Sequence, residues 1–224
     1  EDFPARYDIS ARRHHRWVRG DWQLLPWMLG PLRDGVPAIG RWKMLDNVRR
    51  SLSAPSLVAA LIAGWTAPGN TAAIWTAFIL ATMALPPLVP VLGQLRRHPG
   101  VAVVTHLRTL AGDLRLAFTQ LALMVILLGD QAWLMADAIL RTLWRVAVSR
   151  RHLLQWTPMA QTGGPDPGIL GFFRRMAGGV AVGVGALAAV ALVDADDQRI
   201  VASLDSEVLI PGTTLDIWDQ GFLV

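Results

Sequence analysis

The sequence predicts a mainly α chain: membrane-embedded helices, juxtamembrane amphipathic helices and a short C-terminal tail with a β-strand pattern. Three observations predict it. Apolar residues make up 53% of the 224 and charged residues only 17%, whereas soluble chains carry about 25% charged. A bilayer solvent selects for that deficit. Thr71 to Gly93 is uncharged throughout, and about 20 apolar residues cross a hydrocarbon core of roughly 30 Å. Elsewhere apolar residues recur at three-to-four spacing, the helical period.

Composition divides the chain into four stretches. Residues 1–50 are polar and rich in Arg and Trp, and 51–95 are strongly apolar. Residues 96–155 read as amphipathic or membrane helices. Residues 156–224 hold a Pro/Gly-rich connector over 156–168, a Gly/Ala/Val run and an acidic tail.

Each element has its own signal. Ile39, Trp42, Leu45, Val48 and Leu52 form an apolar stripe after Pro37, with Arg41, Lys43, Asp46, Asn47 and Arg49 on the other side. That pattern predicts an interfacial amphipathic helix. Ser51 to Ala67 is uncharged, and Pro68-Gly69-Asn70 has turn chemistry, so this segment and Thr71–Gly93 read as a transmembrane hairpin. Pro86, Pro87 and Pro90 are expected to kink or break its second arm. Arg41, Lys43, Arg49 and Arg50 precede the hairpin, and Arg96 and Arg97 follow it. The positive-inside rule then places both ends in the cytoplasm.

Leu107, Leu110, Leu114, Phe118 and Leu121 form a stripe that leads into the uncharged run Leu116–Gly129. Fourteen residues suit either a span or a buried interfacial helix, and both readings stay open. Ala136, Ile139, Leu140, Leu143 and Val146 make a second stripe; Asp137, Arg141 and Arg145 sit opposite at i, i+4 spacing and can pair. Residues 177–193 are uncharged, but four of the seventeen are Gly, so spanning and non-spanning readings are balanced. Ile200, Val201, Val208, Ile210, Leu215 and Ile217 suggest short strands around Pro211-Gly212.

Composition also excludes several classes. Without Cys there is no disulfide framework, thiolate zinc site or cysteine nucleophile. The pI of 10.8 reflects Arg, since Lys43 is the only lysine. These cations flank apolar runs instead of forming a polar basic face, which argues for membrane orientation and against a nucleic-acid partner. Adjacent His14 and His15 lack the i, i+4 spacing of paired metal ligands. Asp194-Ala195-Asp196-Asp197 follows an apolar run and reads as a solvated helix end. No nucleophilic Ser constellation, phosphate loop or βα alternation appears. The first strongly apolar run starts near residue 54, so an upstream N-terminus or insertion by internal helices is expected.

The informative string is Arg12-Arg13-His14-His15-Arg16-Trp17-Val18-Arg19-Gly20-Asp21-Trp22-Gln23. Guanidinium forks bind phosphates bidentately, and Trp faces stack on sugars or seat at the membrane interface. The string therefore suits a site for a phosphorylated or nucleotide-activated sugar. It also suits a basic and aromatic belt that anchors a non-enzymatic membrane subunit to lipid, and chemistry alone favours the belt.

A resemblance shifts that balance. Arg16-Trp17, three residues after Arg13, looks like the Gln-x-x-Arg-Trp motif of processive membrane glycosyltransferases, with Arg13 standing where that family carries Gln. Glu1 to Asp8 and His15 to Trp27 are similar to the cyclic β-1,2-glucan synthases. So are Ile39-Gly40-Arg41-Trp42-Lys43-Met44-Leu45-Asp46-Asn47 and Val148-Ser149-Arg150-Arg151-His152-Leu153-Leu154, in the same order.

The resemblance implies a multi-pass inner-membrane enzyme that polymerises glucose from UDP-glucose and cyclises the product. Residues 1–50 would then end its cytoplasmic transferase domain. It implies that Arg16 contacts the donor diphosphate and Trp17 stacks on the acceptor sugar. Arg13, Asp21 and Trp22 are supporting substrate-binding candidates, with Asp21 also able to pair with Arg16 or Arg19. The implied partners are UDP-glucose, the growing glucan and membrane lipid. The metal-holding and catalytic groups would precede Glu1, so no catalytic residue or cofactor is expected in this stretch, and alone it is expected to be inactive.

Overall fold

The computed structural model describes residues 6–30, 36–67, 71–96, 100, 102–151 and 168–208. Among them the secondary structure is helical throughout. The order is α1 (Tyr7–Gln23), α2 (Leu25–Leu29), α3 (Ala38–Thr66), α4 (Ala72–Gly93), α5 (Val103–Ile126), α6 (Leu128–Trp144), α7 (Gly168–Arg175) and α8 (Ala177–Val208). A π-helical turn, Arg145–Ser149, extends α6.

The organising element is α6, which packs against α1, α3 and α8. Asp130 in its first turn and Arg141 in its last complement the helix dipole. Its buried face is Ala132, Met135, Ala138, Ile139 and Thr142, and Val18 of α1 joins Met135, Ala138 and Ile139 in the core. Thr142 is satisfied by donating to the Ala138 carbonyl at 2.7 Å.

This corrects the expected stripe Ala136, Ile139, Leu140, Leu143 and Val146. Leu140 is exposed, and the inward face is rotated toward Ala138 and Thr142. The reason is polar: Asp137 turns toward α1 to meet His15 at 2.9 Å, while its expected pairing with Arg141 forms at 2.6 Å.

Three helical segments are long and apolar enough to cross a membrane: α4, α5 and Ala177–Ala195 of α8. Their outward residues, among them Phe78, Leu85, Phe118, Ile126, Val184 and Leu187, are exposed among the described residues. This is the surface that hydrocarbon chains cover, and it makes the chain a membrane protein. The stripe on α3 behaves likewise, with Ile39, Trp42, Leu45 and Leu52 exposed and only Val48 buried.

Several boundaries differ from expectation. The interfacial helix and the first hairpin arm are one 29-residue helix that runs through Pro55. Its charged first half keeps α3 out of the set long and apolar enough to span. It still packs on α4, where Trp65 Nε1 donates to Thr76 Oγ1 at 2.8 Å and Gly64 lies against Trp75; the expected turn Pro68-Gly69-Asn70 lies outside the described residues. α4 is not interrupted at Pro86, Pro87 or Pro90; without water to compete, the remaining intrahelical bonds carry it. Leu116–Gly129 is not a separate helix, because α5 runs from Val103 to Ile126 and α6 starts at Leu128.

Ile200, Val201 and Val208 lie in α8, not in strands. Together with Leu204 they satisfy a three-to-four period, which outweighs the local β-branched signal. Ile210, Leu215 and Ile217 lie outside the described residues, as does residue 156–167 of the connector. Asp194 sits inside α8, exposed, instead of at a helix end.

Candidate functional site

Helical geometry decides which members of the Arg/Trp string meet. Arg13, Arg16, Trp17, Gly20 and Asp21 fall at i, i+3, i+4, i+7 and i+8, one face of α1. That face, with Asn47, Arg50 and Ser51 of α3 and Met135 of α6, lines an open groove of about 800 Å³. Arg13 and Arg16 outnumber Asp21 there, with Arg50 paired to Asp46 at 2.7 Å, so the groove is cationic.

Trp17 is held in place and remains 49% exposed. The Arg13 guanidinium lies 4.9 Å from its ring centroid, a cation–π contact. His14 meets it edge-on at 5.8 Å. Burial, and then the Arg13 charge, push the His14 pKa down and favour the neutral imidazole. Burial pushes the Asp21 carboxyl up, against the hydrogen bond it accepts from Asn47 Nδ2 at 3.3 Å.

Four of the five residues expected at the site line this groove, and Trp22 does not. Its indole packs against the α1–α6 core, and Nε1 donates to Ser51 Oγ at 2.9 Å. Ser51 Oγ in turn donates to the Val48 carbonyl at 2.7 Å. Trp22 thus ties the groove's two helices together from behind. Asn47, Arg50 and Ser51 were missed at the sequence level, where Asn47 read as part of a solvated face; only the packing of α3 on α1 reveals them.

Polar contacts to α6 and α7 fix α1. Tyr7 Oη donates to Asp130 Oδ2 at 2.6 Å, and His15 Nε2 meets Asp137 Oδ2 at 2.9 Å. Asp8, 7% exposed, pairs with Arg6 at 3.1 Å and with Arg175. Burial alone would raise the Asp8 and Asp137 carboxyls, but the guanidinium partners, with His15 for Asp137, hold both below the ordinary range. Burial, helped by Asp130, pushes the Tyr7 phenol up. Among the described residues no three His, Asp or Glu side chains converge as metal ligands.

No family model matches the chain. Over 197 residues, 87% of its length, it is 39% identical to a curated cyclic β-(1,2)-glucan synthase, NdvB of Rhizobium meliloti (strain 1021). The matched stretch is 7% of that relative's length, so the chain spans a small part of it. The chain is thus similar to one short segment of a cyclic β-(1,2)-glucan synthase.

Proposed function

We propose that the α1–α3 groove binds the nucleotide-activated sugar of a membrane glycosyltransferase that polymerises glucose from UDP-glucose into β-1,2-glucan. The observation that carries this reading is the convergence of Arg13, Arg16, Trp17 and Asp21 in one cationic groove. Arg16 binds the donor diphosphate, since a planar guanidinium matches phosphate oxygens bidentately. Trp17, braced by Arg13, presents its ring to the acceptor sugar. Asp21, oriented by Asn47, accepts from a sugar hydroxyl. No catalytic base and no metal step are assigned to this chain; they belong to the rest of a longer polypeptide.

The same reading makes the chain part of a multi-pass protein of the bacterial inner membrane. The Arg-rich segments of α1 and α3 lie at its cytoplasmic face, in keeping with Arg41, Lys43, Arg49 and Arg50. UDP titration of the chain in detergent micelles tests the groove directly. Arg16→Ala should weaken UDP binding about 10- to 100-fold, the loss of a charge-assisted contact. Loss of binding to anionic vesicles with UDP affinity unchanged would support the lipid-anchoring belt instead.

A further inference from the structure

Helices α1 and α6 lie side by side in a fixed register. Tyr7 meets Asp130 at 2.6 Å, and two turns on His15 meets Asp137 at 2.9 Å. The two helices are therefore parallel, and one further turn brings Arg19 of α1 level with Arg141 and Arg145 at the end of α6. The carboxylate facing this cluster, Asp137, is already shared by Arg141 at 2.6 Å and His15 at 2.9 Å.

Arg19 is left unbalanced. Among the described residues no acceptor reaches it, and its Nε is buried without a hydrogen bond. Burial, and then the charges of Arg145 and Arg141, push its pKa down. Guanidiniums gathered at one edge of a helix pair repel one another, and an anion lying between them removes that repulsion.

The surface beside the cluster says which kind of anion. Leu140, Trp144 and Val148 form a row along α6 and its π-helical end, 66%, 63% and 58% exposed. A free phosphate gains nothing from an uncovered apolar row, whereas an acyl chain does. Indole rings such as Trp144 seat where hydrocarbon meets headgroups. Lipid is within reach, because α6 follows the membrane-spanning α5 after one residue and packs on α8.

We propose that Arg19, Arg141 and Arg145 hold the phosphate of an anionic phospholipid whose acyl chain lies along Leu140, Trp144 and Val148. Cationic pockets between helices at a membrane surface select anionic over zwitterionic headgroups. None of these six residues lines the α1–α3 groove, so this site and the nucleotide-sugar reading can fail separately.

The test is thermal melting of the full 224-residue chain in neutral detergent micelles, titrated with phosphatidylglycerol or phosphatidylcholine. The melting temperature should rise saturably with phosphatidylglycerol, not with phosphatidylcholine, and excess UDP should not reverse the rise. Arg19→Gln should weaken the apparent affinity for phosphatidylglycerol about tenfold, the loss of one charge-assisted contact. Trp144→Ala should weaken it about threefold, the loss of exposed apolar surface. Arg49→Gln removes an exposed cation elsewhere and should leave it unchanged. Should Arg19→Gln lose helical content, Trp144→Ala, altered at an exposed position, decides the matter. The proposal is overturned by an equal rise with phosphatidylcholine, by a rise that inorganic phosphate reproduces, or by unchanged affinity in Arg19→Gln or Trp144→Ala.

Discussion

The two faces of α1 differ in chemistry although they come from the same 17 residues. One carries Arg13, Arg16, Trp17 and Asp21 into a cationic groove against α3. The other carries Tyr7, Asp8, Arg12 and His15 into a second, aromatic groove against α6 and α7. Read linearly, Arg12-Arg13-His14-His15-Arg16 is a single basic block. The helical turn of about 100° per residue splits it, sending Arg12 and His15 to one partner and Arg13 and Arg16 to the other. A basic run therefore states its chemistry only once its neighbours are known.

The largest effect that could break this contrast is expected at Gly179. A Cβ there would lie 2.7 Å from the backbone N and Cα of Asp130. Neither can yield without moving a helix. Gly179→Ala should push α8 off α6 at a cost of about 1–3 kcal/mol and lower the melting temperature in micelles. UDP affinity should stay within about twofold, because the α1–α3 groove does not touch α8. A parallel loss of UDP affinity would show that the two faces of α1 are one unit.

A more local effect is expected at Trp22. Trp22→Phe keeps an aromatic ring but a smaller one and removes the bond to Ser51, for about 1–3 kcal/mol of stability. UDP affinity should barely change. A tenfold drop in titration would return Trp22 to the binding site.

The smallest effects are in pH dependence, and the two faces should differ in sign. Asp21 has a raised pKa, so the folded state holds its proton more tightly than the unfolded chain. Stability contributed by Asp21 is therefore lost as pH rises from the ordinary value of 3.8 through the raised one. Asp137 has a lowered pKa, so its contribution is present above the ordinary value and is lost as pH falls through the lowered one. Denaturation curves followed on both sides of 3.8 should show this: Asp21→Asn removes a slope above that value and Asp137→Asn one of opposite sign below it. A common direction would contradict the environments assigned to them.

Much of this was legible before any coordinates. The deficit of charge and the uncharged run Thr71–Gly93 marked the membrane helices, because bilayer solvation acts on composition directly. The string that holds Arg13, Arg16, Trp17 and Asp21 stood out, but their place on one face came only with α1. Boundaries were harder. Pro55 did not end α3 and the Pro86-Pro87 pair did not end α4, since lost backbone bonds are tolerated where water cannot replace the others.

The inward face of α6 was misread at Leu140 because periodicity cannot tell that Asp137 turns toward His15. Asn47 and Ser51 entered the site only through contact between α1 and α3, separated by 26 and 29 residues in their bonds to Asp21 and Trp22. Pairings of that range leave no local signature. The second groove depends on contacts spanning more than 120 residues, from Tyr7 to Asp130 and from His15 to Asp137, and was not legible at all.

The most direct test of the central claim is glucan synthesis from radiolabelled UDP-glucose in membranes. It compares Arg16→Ala, Trp17→Ala and Arg49→Ala within the complete transferase polypeptide. Arg49 is exposed, pairs with Asp46 at 2.8 Å and lies outside the groove, so it controls for loss of a cation from the same helical layer. Loss of product with Arg16→Ala and Trp17→Ala, with all three variants inserted and Arg49→Ala active, is the predicted result. Full synthesis by the Arg16 and Trp17 variants would contradict it and leave the cationic face of α1 as a membrane anchor.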